Sequence, residues 1–179
     1  ETIEGVLNRT LSSLLGEKII VTGASRTDAG VHSMGNVAVF DTKSRIPAEK
    51  ISYALNQRLP EDIVVQKSEE VPADFHPRHC DSRKTYEYRI LNREFPLPMY
   101  RNNTYFCYRK LDLEKMQQAA EYLRGEHDFK SFCSNPQMKK STVRTVDSIE
   151  IVRKKDYIYF NFHGTGFLQN MVRILVGTL

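Results

Sequence analysis

Residues 23–32 read Gly23-Ala24-Ser25-Arg26-Thr27-Asp28-Ala29-Gly30-Val31-His32 and come directly after a β-patterned run, Lys18 to Thr22. Thr, Asp and Gly are ordinary turn formers, and an Asp-x-Gly triplet alone marks no more than a surface turn. What sets the stretch apart is its density of chemistry: a carboxylate, a guanidinium, hydroxyl and imidazole side chains and two glycines, all in one short loop. A loop of this make-up can hold a carboxylate beside a permanent cation, which keeps the acid ionised and oriented.

Upstream of the loop, Ile3, Val6, Leu7, Leu11, Leu14 and Leu15 recur at helical spacing, and Gly16 stands where a C-terminal cap belongs. Downstream, a helix is predicted from Ala48 to Leu59, ahead of Pro60. Another starts near Asp112 as N-cap, carries Met116, Ala119, Ala120 and Leu123 on one face, and stops at Gly125. A last, buried helix is predicted from Phe167 to Leu175, just after the Gly164-Thr165-Gly166 turn. Between them lie strand-like runs at Asn36 to Asp41, Ile63 to Gln66, Lys84 to Leu91, Thr104 to Arg109, Ser148 to Arg153 and Tyr157 to His163. Helices separated by groups of strands, without strict strand-helix-strand alternation, predict an α+β fold with a largely antiparallel sheet. The chain starts inside a helical pattern and stops at Leu179 without a polar tail, as expected of a piece cut from a longer protein.

The 179 residues are 40% hydrophobic and 27% charged, enough for a real core. No apolar stretch approaches the ~20 residues of a membrane span, and the first residues carry no basic signal-peptide region. Cys80, Cys107 and Cys133 are too few and too far apart for a disulfide framework, and an odd count suits a reducing, cytoplasmic compartment. Charge is segregated. Up to Phe75 there are 8 basic against 11 acidic residues, and from His76 onward 18 against 11, so the balance passes from −3 to +7. That asymmetry leans toward a nucleic-acid partner.

The run Arg26 to His32, Arg-Thr-Asp-Ala-Gly-Val-His, resembles the central motif of the TruA family of tRNA pseudouridine synthases. Asp74, Phe75, His76 and Arg78, then Lys84-Thr85-Tyr86-Glu87-Tyr88, and finally Gly166-Phe167-Leu168-Gln169-Asn170-Met171-Val172-Arg173 follow in that family's order and at roughly its separations. The resemblance covers essentially the whole chain. Family members normally begin one strand earlier, with Tyr-Asp-Gly and Gly-Trp-Gln segments, and continue past the final helix; neither is present, and the chain has no tryptophan.

The resemblance implies a pseudouridine synthase fold: two ferredoxin-like half-domains, residues 1–75 and 76–179, sharing a continuous, mainly antiparallel sheet with the active-site cleft at its centre. It implies isomerisation of uridine to pseudouridine in the anticodon stem-loop of tRNA, with no cofactor and no metal, by a homodimer that takes the anticodon arm across both subunits. Asp28 would be the catalytic residue. Tyr86 would stack on the target base, with Tyr88 on the same side of its strand. Arg173 would pair with Asp28, Leu168 would line the uracil pocket, and Arg26 would fill the gap left by a flipped nucleotide. Basic clusters at Arg78, Arg83 and Lys84, at Lys139, Lys140 and Arg144, and at Arg153, Lys154 and Lys155 are candidate phosphate contacts that position RNA without reading its sequence.

Other readings compete. His76, His79, Cys80, Cys107, His127 and Cys133 raise the question of zinc, but no Cys-x-x-Cys pair exists, and adjacent His79 and Cys80 point to opposite sides of an extended chain. A synthase of the same fold acting on another RNA site, or a relative that binds RNA without modifying it, would keep much of the same pattern. The intact Arg26 to His32 run, with Tyr86 and Arg173, speaks for an enzyme.

Overall fold

In a computed structural model that describes residues 1–135 and 137–179, the chain divides into two compact units, Glu1–Cys80 and Asp81–Leu179. Four helices and seven strands are assigned among the described residues. No helix among them is long and apolar enough to cross a membrane.

In the first unit, α1 (Ile3–Leu15) forms where the apolar spacing predicts it. The Thr2 hydroxyl accepts the Gly5 N–H at its start, and Gly16, at φ 70°, closes its end. It packs on α2 (Ala48–Asn56), and Leu11, Ile19, Val21, Ile51 and Leu55 make the small core. α2 ends three residues before the predicted Leu59, the chain turning with Arg58 and Leu59 N–H both on the Leu55 carbonyl. The run Lys18 to Thr22 does alternate, with Ile19 and Val21 buried and Ile20 exposed. Yet it pairs with side chains and not with a strand: Ile19 N–H donates to Ser12 Oγ at 2.9 Å, and Val21 N–H to Asn8 Oδ1 at 2.7 Å. Only Thr22–Gly23 (β1) and Ala38–Val39 (β2) form an antiparallel ladder. The predicted strand Ile63 to Gln66 is likewise replaced by a clasp, in which the Asn56 carboxamide accepts from Val65 N–H and donates to Val65 O.

The second unit is a five-stranded sheet in the order β4-β3-β7-β6-β5, built from β3 (Lys84–Asn92), β4 (Tyr105–Cys107), β5 (Gly125–Asp128), β6 (Val143–Lys154) and β7 (Tyr157–Gly164). All pairs are antiparallel except β3 with β4. On one face Tyr86, Tyr88 and Ile90 lie opposite Phe162, Phe160 and Ile158, with Ile149 and Ile151 continuing the layer on β6. This face takes α3 (Leu113–Glu121) on β6 and α4 (Met171–Thr178) on β3, and Phe160, Phe162, Met171 and Leu175 are fully enclosed. The opposite face keeps Arg89 and Lys154 over the Tyr159 ring, at 5.9 and 5.7 Å.

Three elements of this unit differ from the sequence expectation. Gly125 does not merely follow a helix; at φ 96° it opens β5, a strand with every residue exposed. β6 begins five residues before Ser148, because a bulge at Asp147 interrupts the two-residue period. α4 begins at Met171 and not at Phe167, since Asn170 takes a left-handed conformation, φ 57°, and residues 165–170 run as a non-helical link.

Candidate active site

In the first unit the loop between β1 and β2 carries Arg26 and Asp28. Its root is fastened by Ala24 N–H on the Val37 carbonyl at 2.8 Å and by the Asn36 carboxamide donating to the Ser25 carbonyl at 3.0 Å. At its far end Val31 N–H closes a turn onto the Asp28 carbonyl at 3.1 Å. Gly30, third in that turn, has φ 77°, a conformation that L side chains rarely adopt. The turn therefore fixes the backbone around Asp28, which is half-buried, while Arg26 is exposed.

In the second unit the residues singled out from sequence lie on β3, the link 165–170 and α4. Tyr86 is half-buried against the core and meets the Phe167 ring edge-on at 5.1 Å, and Phe167 in turn stands 6.5 Å from Phe162. Tyr88 follows on the same face, as its spacing from Tyr86 predicts. Burial pushes the Tyr88 phenol above its ordinary value, and the Arg173 guanidinium acts against that shift. Arg173 therefore lies near enough to Tyr88 for its charge to be felt there. It is exposed in the first turn of α4, where the helix dipole adds to its positive potential. Leu168 is almost wholly buried in the core with Phe162, Met171 and Val172, and its N–H donates to the Met171 sulfur at 3.4 Å. The link is tied down by Asn170, whose carboxamide donates to Ser134 Oγ at 2.9 Å, and by Ser134 N–H on the Gln169 carbonyl.

Several of the basic residues singled out as phosphate contacts are engaged within the protein. Arg78 donates from Nε to the Gly23 carbonyl at 2.8 Å, Arg83 lies 3.2 Å from Asp147, and Arg153 donates to Asn92 Oδ1 at 2.8 Å. Arg144 bonds the Ser141 and Val143 carbonyls and lies over Gly166. Lys84 is half-buried at the start of β3, while Lys139, Lys140, Lys154 and Lys155 are exposed. His76 and His79 stack their rings at 4.1 Å, and no three His, Cys, Asp or Glu among the described residues are grouped to hold a metal ion. The role of Phe167 behind Tyr86 and the bonds of Asn36 and Arg78 were not singled out from sequence; Phe167 at least stands inside a quoted motif, whereas Asn36 gives no local signal.

The family described as tRNA pseudouridine synthase matches residues 1–79 and 119–179. A protein of Acetivibrio thermocellus called tRNA pseudouridine synthase A is 47% identical over 179 residues, all of this chain and 73% of that protein. Proteins of the same name from a Thermoanaerobacter species and from Ruminiclostridium cellulolyticum are each 46% identical, over 99% and 100% of this chain and 73% and 74% of their own lengths.

Proposed function

The chain belongs to the TruA family of tRNA pseudouridine synthases, isomerases that turn uridine in tRNA into pseudouridine, and we propose that Asp28 carries this reaction, in the anticodon stem-loop and without a cofactor. The observation that supports Asp28 most directly is its turn: its backbone is held between a fastened loop root and a glycine at φ 77°. Uridine and pseudouridine have the same composition, so the stoichiometry requires neither an oxidant nor a group donor. The N1 to C1′ bond breaks, the base rotates, C5 bonds to C1′ and releases its proton, and N1 takes one up. Asp28 begins this either by covalent attack on the sugar or base, or by taking a ribose proton. Glycoside hydrolysis usually needs two carboxyl groups, one for the leaving group and one for C1′ or water. Here the base never leaves, so one acid that acts and then returns its proton suffices.

The remaining roles follow the chemistry of each side chain. Tyr86, backed by Phe167, offers a planar face that grips a pyrimidine without reading its edge. Leu168, buried with Phe162 and Met171, gives the uracil pocket its apolar lining. Arg173 binds substrate, its charge reinforced by the first turn of α4. Arg26, exposed on the loop, takes the place of the extruded nucleotide. The excess of basic residues after His76 supplies phosphate attraction, and a cytoplasmic homodimer presenting the anticodon arm to both subunits completes the reading.

Tritium release from tRNA labelled at uridine C5 tests it, because bonding C5 to C1′ expels that hydrogen. Asp28→Ala is expected to abolish release while leaving tRNA affinity within a few fold. Release at the wild-type rate in that variant removes Asp28 from the mechanism. Modified positions mapping outside the anticodon stem-loop would refute the substrate assignment alone.

A further inference from the structure

The ladder that carries the Asp28 loop is short: β1 and β2 pair over two residues each, Thr22 with Val39 and Gly23 with Ala38. So small a ladder is a poor anchor by itself, and a reacting group must be held to within about half an ångström to work well. Beside the Ala24 and Asn36 bonds, a further anchor arrives from 55 residues away. The Arg78 guanidinium donates from Nε to the Gly23 carbonyl at 2.8 Å, at the last residue of β1.

The segment that presents Arg78 is itself built as a rigid turn. Phe75 N–H bonds the Pro72 carbonyl at 2.9 Å and His79 N–H the His76 carbonyl at 3.0 Å. Arg78 N–H donates to His76 Nδ1 at 3.2 Å, and the His76 and His79 rings stack at 4.1 Å with 17° between their planes. The clip thus joins two short local structures, the ladder that carries the carbonyl and the turn whose backbone presents Arg78.

We propose that Arg78 is a positioning residue that holds the root of the Asp28 loop in its reactive placement, and not one of the phosphate contacts. The inference rests on the reading that Asp28 does the chemistry. It differs from a plain structural brace in acting on the rate at saturating tRNA, and from a phosphate contact in depending on a donor and not on a charge.

Two substitutions in the full chain separate these roles. In Arg78→Gln the side-chain amide nitrogen stands the same number of bonds from the backbone as Nε, so the donor is kept and the charge is lost. Arg78→Met matches the length with no donor. Single-turnover rates at saturating enzyme, tRNA Kd across a salt series and melting midpoints are measured for both, well below those midpoints. The expected result is a roughly 10- to 100-fold slower step in Arg78→Met, with Kd and its salt slope unchanged and Arg78→Gln within a few fold of wild type. Weaker binding in both variants, with a salt slope shallower by about one and the rate at saturation intact, makes Arg78 a phosphate contact and overturns the proposal. A lower melting midpoint without any rate change overturns it as well, in favour of a brace. Asp28→Asn run alongside keeps the premise separate: its turnover at the wild-type rate would remove the reading beneath the proposal, whatever the Arg78 variants do.

Discussion

Gly164→Ala is the substitution whose cost the structure fixes most tightly. Gly164 is buried at the end of β7, where the chain leaves the sheet for the link that carries Leu168 and leads into α4. A Cβ added there would stand 2.4 Å from the Thr145 carbonyl oxygen, 3.3 Å from Val146 Cα and 3.4 Å from Thr145 C. Ordinary contact begins near 3.4 Å, so about 1 Å of relief is needed, and every obstacle is backbone. Overpacking of this kind costs about 1–3 kcal/mol. The same carbonyl accepts Thr165 N–H at 3.0 Å, and losing that bond adds about 1 kcal/mol. At about 3 °C per kcal/mol for a chain of this size, a loss of about 2–4 kcal/mol lowers the melting midpoint by about 6–12 °C. Calorimetry and urea midpoints read it directly. Gly177→Ala is the control: it lies in α4 with nothing within 4 Å of its added Cβ, and alanine there should be neutral or stabilising by up to about 1 kcal/mol. A Gly164→Ala midpoint within about 2 °C of wild type would refute the close approach of β7 to β6.

Tyr88, pushed up by burial, binds its proton more tightly folded than unfolded. The stability this contributes is present below the unfolded tyrosine value, about 10, and is lost as pH rises through the higher folded value. Tyr88→Phe should therefore lose less stability above about pH 10 than wild type does, and parallel urea midpoints across that range would contradict the assignment. At α3 the Asp112 carboxylate accepts Lys115 N–H at 3.2 Å as an N-cap. Its replacement by Ala is expected to cost about 1 kcal/mol, and an unchanged thermal midpoint would mean that the cap contributes nothing.

The elements legible in the sequence are those whose burial leaves a period. α1 shows its helical spacing, and β3 and β7 alternate because one face of each packs against α3 and α4 while the other does not. β5 was illegible for the opposite reason: Gly-Glu-His-Asp is exposed at every position, so no pattern marks it. The run Lys18 to Thr22 taught a different lesson, since its alternation is real while its backbone partners are the Asn8 and Ser12 side chains. At the candidate site, Asp28 and Arg26 stood out through the density of functional groups in one loop. Arg78 entered the sequence reading only as a positive charge, because its bond to Gly23 spans 55 residues and depends on a fold that local pattern does not encode.

The β6–β7 hairpin turns on Lys155 and Asp156 alone, with Lys154 opposite Tyr157 and Lys155 at φ 55°. Closing so short a loop costs little chain entropy, whereas β3 joins β7 only after the chain has returned across β4, α3 and β5. Assembly thus has a direction, in which the hairpin forms early and the strand bearing Tyr86 docks onto it as a finished template. The Gly164 contact belongs to the early partner, so alanine there slows the folding arm of a chevron more than it hastens the unfolding arm.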